Sequence, residues 1–347
     1  MKSTYLIGEI GQNHNGSVDI AKLIIDLVAR DITLPEWGVS YPGMNAVKLT
    51  KRDLQTELSA SQMSKPYNSP HSFGDTYGAH REFLELNDEQ HFEVYQHAKA
   101  NRLEFVETLC AIGCLSIFRY FTPDRLKVAS RDLTNLPLLN ALAETQVPMI
   151  VSTGMAGKRE LDLALDTITK HHDKVSILHC VSEYPTQPKN VNLLTIKFLK
   201  ENYPTYTIGY SDHTVGISTP LAAVAMGAEI IEKHITIDRR MKGTDQAGSL
   251  GPDGVYRMVR DIRILNESMG IEDIFICEDV NVARTKLERS IASKAFLPAG
   301  HVIQESDLQL LSPGDGVKWA DRERVIGKAV RESIAANEII YPHQLAQ

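Results

Sequence analysis

The chain has 347 residues, 43% of them hydrophobic and 23% charged, with a formal net charge of −7. This is the balance of an ordinary globular protein long enough to bury a large core, and it excludes disordered and fibrous classes. The acidic excess and the lack of any Lys/Arg-rich run argue against nucleic acid or an anionic membrane as partner, while local basic groups still allow a small anionic substrate.

In chain order, Tyr5–Ile10 is the first candidate strand. It carries Glu9 and is too short for the apolar part of a signal peptide. No later run reaches the ~18 apolar residues of a membrane span, so a cytoplasmic protein is expected. Val18–Ala29 follows, with Ile20, Leu23, Ile24, Leu27 and Val28 at helical spacing. Asp31–Asn45 is a long connection holding Pro35, Trp37, Pro42 and Gly43, expected at the non-catalytic face. After a second strand, Ala46–Thr50, the connection Lys51–Asn87 is rich in Ser, Tyr, His and Gly and should rise over the catalytic face. Six more strands are expected at Glu104–Leu109, Leu126–Ser130, Pro148–Thr153, Val175–Cys180, Thr207–Asp212 and Ile230–Ile235. Helical segments lie between them, including Leu221–Gly227 behind Pro220, and Gly254–Met269, which ends at Gly270, follows the last strand. Alternation of this kind over eight strands predicts a (β/α)8 TIM barrel over residues 1–270. Residues 271–288 read as a linker, and 289–347 as a small, mostly β module with turns at Pro298-Ala299-Gly300 and Ser312–Gly316.

Cys110, Cys114, Cys180 and Cys277 lack the second pair that a zinc site needs and are expected to be reduced and structural. His171 and His172, at a charged helix end, are expected to be solvated.

Barrel enzymes carry their chemistry at the carboxyl ends of the strands. The residues there are Glu9, Lys48, Thr108, Lys127, Ser130, Asp132, Ser152, Thr153, Tyr184, Ser211, His213 and His234. An unpaired buried ammonium is costly, so Lys48 and Lys127 should face an anion. His213 and His234 end adjacent strands. Either they are two hydrogen-bonded core histidines or, as their pairing favours, they bind Mn²⁺, Zn²⁺ or Fe²⁺ with positions left for substrate. Lys127–Asp132 and Ser152–Met155 offer a cation, hydroxyls and free N–H groups of the kind that cradle phosphate, or else plain βα turns with N-caps.

Taken in order, these segments resemble the N-acetylneuraminate (sialic acid) synthase family. The stretches that carry the resemblance are Gly8–Gly16, Ala46-Val47-Lys48, Lys127–Ser130, Ser152–Met155, His179-Cys180 with Tyr184-Pro185, Gly209–His213 and Glu232–Thr236. The C-terminal module resembles the antifreeze-like (SAF) domain appended to those barrels, through Leu308, Pro313-Gly314 and Ile326-Gly327-Lys328. The resemblance implies condensation of phosphoenolpyruvate with the open-chain aldehyde of a hexosamine or hexose, giving a nine-carbon 2-keto-3-deoxy acid and phosphate. It implies a divalent metal, Mn²⁺ first with Mg²⁺ or Co²⁺ as alternatives, on His213 and His234. Lys48 and Lys127, with Thr108, Ser130, Ser152, Ser182 and Ser211, would hold phosphoenolpyruvate. Glu9 and Asp132 would lie beside the reacting carbons, and Tyr184 and Asp245 would contact the sugar. It also implies a domain-swapped homodimer. Thr50 and Glu107 depart from the family pattern, and Ser312 stands where bacterial members have an arginine that reaches the sugar of the partner subunit. The insertion Lys65–His80 looks like that of animal members, which use 6-phosphorylated sugars; the loop either serves that purpose or only shapes the mouth. Competing readings are another phosphoenolpyruvate–aldose synthase making a 3-deoxy-keto acid, or a non-catalytic sugar-binding relative.

Overall fold

The computed structural model describes residues 3–346. The chain forms two compact units that divide after Gly270.

In the first unit the strands are β1 (Tyr5–Gly11), a short hairpin β2 (Ile32–Leu34) and β3 (Val39–Tyr41), then β4 (Ala46–Lys51), β5 (Glu104–Leu109), β6 (Arg125–Val128), β7 (Met149–Ser152), β8 (Val175–Cys180), β9 (Thr207–Asp212) and β10 (Ile230–His234). Without the hairpin these close an eight-stranded barrel in the order β1-β10-β9-β8-β7-β6-β5-β4. Every pairing around it is parallel. Parallel strands need crossover connections, and helices supply them. The first runs over Val18–Ala29, starts where the Ser17 hydroxyl accepts the Ile20 N–H, and buries Ala21, Ile24, Ile25 and Val28. The last runs over Pro252–Ser268, two residues earlier at its start than expected, with Pro252 in its first turn. The fourth barrel strand stops at Val128, because Ser130–Asp132 turns into a 3₁₀ segment.

Side chains alternate across a strand, so every second residue points into the barrel. Ile7, Ala46, Val106, Ile150, Leu178 and Ile230 meet there as an apolar floor. The residues that face outward pack against the helices in a much larger core. The connection 31–45 lies at the amino-terminal end of β4: the Arg263 guanidinium donates to the carbonyl of Gly43 and to Asn45 Oδ1 (2.8 and 3.0 Å). The connection 51–87 is not an open loop. It carries helices at Leu54–Glu57, Ala60–Met63 and Tyr77–Leu84. Phe73 stacks on Phe83 at 4.6 Å within it.

In the second unit β11 (Ser290–Ser293) pairs antiparallel with β12 (Leu308–Leu311). Isolated bridges such as Leu297 with Ile334 and Val302 with Ala329 extend the β character. Its own core gathers Ile291, Ile303, Leu308, Val325 and Ile340. The segment 271–288 belongs to this unit and holds a helix at Asn281–Leu287.

Two expectations need correction. His172 is buried, its Nδ1 accepting the Lys174 N–H at 3.2 Å, and His171 donates to Asn140 Oδ1 at 2.9 Å. The chain turns back into β8 directly after them, and only the His172 ring is buried; His171 stays half-exposed. All four cysteines are free, but Cys277 is exposed and so has no core role.

Candidate active site

Two residues further along each strand, above the apolar floor, the inward positions become polar. Glu9, Lys48, Thr108, Lys127, Ser152, Cys180, Ser211 and Glu232 form this layer and line a cavity of ≈ 390 Å³ at the carboxyl ends of the strands. Ser130, Ser182, Tyr184, His213, His234 and Asp245 complete the wall from the strand ends and following turns. Of the residues expected at strand ends, Thr153 and Asp132 do not line the cavity; the Thr153 hydroxyl donates to the Leu178 carbonyl at 3.3 Å. Asp132 sits in the 3₁₀ turn after β6 and pairs with Arg131 Nε at 3.2 Å, and Arg131 takes the place on the wall.

The layer balances its own charge. Lys48 pairs with Glu9 and lies 3.9 Å from Glu232, and Lys127 lies 3.5 Å from Glu232. The anion faced by the two lysines is therefore, in the first instance, the chain's own. Burial pushes the Glu9 carboxyl above its usual range, against Lys48. Burial acts the same way on Glu232, but Lys127, Lys48 and the Ser211 hydroxyl outweigh it and hold that carboxyl low. Burial also holds the Lys127 ammonium below its ordinary value. Sequence reasoning missed Glu232 as a site residue. The signal was available: it lies two residues before His234 on one strand, so both must face inward.

Around Gly154 two hydroxyls and the Cys180 thiol converge. Ser130 Oγ accepts the Gly154 N–H at 2.9 Å, and a Cβ on Gly154 would come within 2.5 Å of Ser182 Oγ. Only glycine allows that approach. Ser152 Oγ is buried with no hydrogen-bond partner among the described residues. Cys180 belongs to the wall too, its Sγ 3.8 Å from His213 Nδ1, so the expectation of a purely structural thiol is corrected.

His213 and His234 come together as expected, ring centroids 5.4 Å apart, with the Tyr184 ring 4.0 Å from that of His213. His213 Nδ1 donates to the Val181 carbonyl at 2.8 Å, which leaves Nε2 with a free lone pair. His234 Nδ1 is buried without a partner. Two imidazoles prepared in this way fit a divalent cation. No group of three or more His, Cys, Asp or Glu side chains suited to a metal occurs among the described residues, so such an ion would take its remaining ligands from substrate or water.

Three arginines reach the outer part of the cavity, and none was expected there. Arg52 pairs with Glu57 and lies 3.8 Å from Glu85, and Arg131 reaches both Glu57 and Asp132. Arg81, on the helix Tyr77–Leu84, is different. It donates to the Gln12 amide oxygen and lies over the Tyr77 ring at 4.9 Å, yet no carboxylate pairs with it among the described residues, and its Nε is buried without a partner. The neighbouring His80 registers this positive rim. Burial, then the charges of Arg81, Lys242 and Arg52, hold it down at about 4. Nothing in hydrophobic periodicity marks an arginine on an irregular connection as facing a pocket.

The family model for the NeuB family matches residues 39–273. The chain belongs to the NeuB family. A SAF domain model matches residues 288–346. Among related proteins, N-acetylneuraminate-9-phosphate synthase of Drosophila melanogaster is 30% identical, the match covering 97% of this chain and 95% of that one. N,N'-diacetyllegionaminic acid synthase of Campylobacter jejuni is 31% identical over 98% of this chain and 99% of its own. Among solved structures, the N-acetylneuraminic acid synthetase of Leptospira borgpetersenii, determined with citrate, superposes with a TM-score of 0.67 at 28% identity, covering 81% of this chain and 90% of that one. The chain is thus an enzyme of a synthase family. One departure from the family pattern has a local explanation: Glu107 faces out of the barrel and pairs with His91 at 3.0 Å, both fully buried.

Proposed function

We propose that this enzyme condenses phosphoenolpyruvate with the open-chain aldehyde of a hexosamine-type sugar, forming a nine-carbon 2-keto-3-deoxy acid and phosphate. The observation that carries the reading is the ring of Lys48, Lys127, Glu9 and Glu232 beneath the histidine pair, flanked by the hydroxyl cluster at Gly154. Phosphoenolpyruvate brings about three negative charges. Two buried ammonium groups and several hydroxyls answer them, and a proton on Glu9, favoured by its burial, frees Lys48 from its internal partner. The C3 carbon of the enol attacks the aldehyde carbon, and the aldehyde oxygen takes a proton. Water then adds at C2, and phosphate leaves with the C2–O bond. Glu9 is placed to hand over or position a proton, and the low-lying Glu232 to stabilise positive charge at C2.

His213 and His234 would hold the divalent cation, Mn²⁺, Mg²⁺ or Co²⁺. When bound, it acts as a Lewis acid on the aldehyde oxygen. Tyr184 and Asp245 flank that pair and would receive the sugar.

Relatives of two kinds match this chain, some named for a 9-phosphate product and some not. The unpaired Arg81 favours a sugar with an anionic group at the end remote from its aldehyde, hence a 6-phosphate. The second unit would serve as a lid on the barrel of a second copy. Its exposed Ile274, Phe275 and Val282 suit a covered surface, and Arg289 donates to Ser312 Oγ at 2.8 Å, which brings an arginine to the position where the family pattern would have one. The test is a phosphate-release assay with phosphoenolpyruvate, Mn²⁺ and aldoses of four to six carbons, with and without N-acyl and 6-phosphate groups. Release confined to N-acylhexosamines supports the reading. Release with only four- or five-carbon sugars, or with none, overturns it.

A further inference from the structure

We propose that the Asp212–Lys233 ion pair, on the outer face of the barrel, is a clamp that sets the positions of His213 and His234. The proposal rests on the reading of those histidines as cation ligands, and its experiment separates the two.

The motif halves Ser-Asp-His and Glu-Lys-His end β9 and β10. Alternation sends Ser211 and Glu232 into the cavity wall and Asp212 and Lys233 outward. The strands pair in a register that sets Asp212 beside Lys233, and both side chains are 0% exposed. Lys233 Nζ lies 2.5 Å from Asp212 Oδ2 and donates to the Thr214 carbonyl at 2.5 Å. Asp212 Oδ1 accepts from the Tyr210 hydroxyl at 2.8 Å and the Thr214 N–H at 2.9 Å, and Oδ2 accepts from the Thr214 hydroxyl at 3.1 Å. Thr219 Oγ1, in the helix Ser218–Ala225, adds a bond to Oδ1 at 3.3 Å.

The arrangement ties both sides of His213. Asp212 precedes it, Thr214 follows it, and both are fastened to one ammonium. That ammonium belongs to the residue immediately before His234. The backbone segments carrying the two imidazoles are therefore cross-linked directly, and neither can shift without breaking bonds in a fully buried site. Stability alone is a poor reason for such a pair, because taking two charges out of water offsets most of their attraction and apolar replacements are often neutral. Groups behind metal ligands are worth about 10–100-fold in metal affinity when they orient the ligands.

The test is Mn²⁺ binding to the full chain without substrates, by calorimetry and by loss of the free-ion electron paramagnetic resonance signal. The wild type, His213→Ala, and the double variant Asp212→Leu with Lys233→Met are compared, with folding checked by thermal melting. The double variant keeps the core neutral. It should melt as a folded protein, bind Mn²⁺ about 10–100-fold more weakly, and lose kcat more than its KM for phosphoenolpyruvate changes. A folded double variant with wild-type Mn²⁺ affinity overturns the clamp. If the double variant does not fold, Thr214→Val, which removes one bond to Asp212 and keeps the pair, decides instead. Weaker Mn²⁺ binding supports the clamp and unchanged binding overturns it. If His213→Ala binds Mn²⁺ as the wild type does, the cation reading itself fails and the clamp falls with it.

Discussion

Strands β9 and β10 carry two kinds of buried charge, back to back. Inside the barrel, Glu232 shares itself between Lys127 and Lys48 at 3.5 and 3.9 Å, and Glu232 Oε2, Ser152 Oγ and His234 Nδ1 remain buried without hydrogen-bond partners among the described residues. Outside, Asp212 and Lys233 are closer, at 2.5 Å, and neither leaves a polar atom unsatisfied. Unmet bonding capacity in a buried site is costly unless something else supplies the partner. The inner group keeps bonding capacity open beside the cavity; the outer group is already complete. Burial and charge alone would not tell them apart; open bonds at residues that also line the cavity do.

Four expectations sharpen or break this contrast. The largest concerns the inner group. Lys127→Met should lower kcat/KM for phosphoenolpyruvate by about 10²–10³-fold, the kinetic equivalent of losing one partner of a buried charge pair, with a far smaller change in KM for the sugar. Steady-state kinetics with each substrate varied in turn would show this, and an unchanged KM for phosphoenolpyruvate would remove Lys127 from that role. Second, the two carboxylates should respond differently. Asp212→Asn should cost about 3–5 kcal/mol in urea unfolding because its ammonium loses a charged partner in a closed site. Glu232→Gln, beside a cavity that water can enter, should cost less in stability and more in activity. Equal stability losses would erase the contrast.

Third, Arg81→Ala should lower kcat/KM about 10–100-fold for 6-phosphorylated aldoses, the loss of one or two charge-assisted bonds, and hardly at all for unphosphorylated ones. A uniform loss would make Arg81 a shaping residue only. The smallest effect comes from buried groups without charge. Burial holds His14 down at about 3, and burial with the surrounding cations holds His80 at about 4. Both are neutral in the fold, and the unfolded chain takes up their protons below about 6.5. The unfolded state binds more protons in that window, so the urea midpoint should fall as pH drops from 6.5 towards 4. The decline should be shallower in His14→Gln, and an equal slope would contradict the assignment.

Much of this was legible beforehand because it follows from periodicity. The helix Val18–Ala29 appears with the expected limits, and all eight barrel strands appear with ends shifted by two residues or fewer. Strand alternation also made most of the cavity wall readable, since Glu9, Lys48, Thr108, Ser152 and Ser211 sit at inward positions near strand ends. What escaped depended on contacts between distant segments. Asp132 is a local exception: the family resemblance implied a place beside the reacting carbons, but a 3₁₀ turn sets it against the adjacent Arg131. Arg81 reaches the cavity from a short helix in a connection without apolar period, and Asp212 and Lys233 become partners only through cross-strand register.

The central claim is that the inner group serves a carbon–carbon condensation, and isotope labelling tests it most directly. The full-length enzyme with Mn²⁺, phosphoenolpyruvate labelled with ¹³C at C3, and a 6-phosphorylated N-acylhexosamine should give phosphate and a nine-carbon keto acid in equal amounts. Carbon NMR should then show the labelled carbon bonded to the former aldehyde carbon. Phosphate released with the label recovered as pyruvate, and no new carbon–carbon bond, would contradict the account.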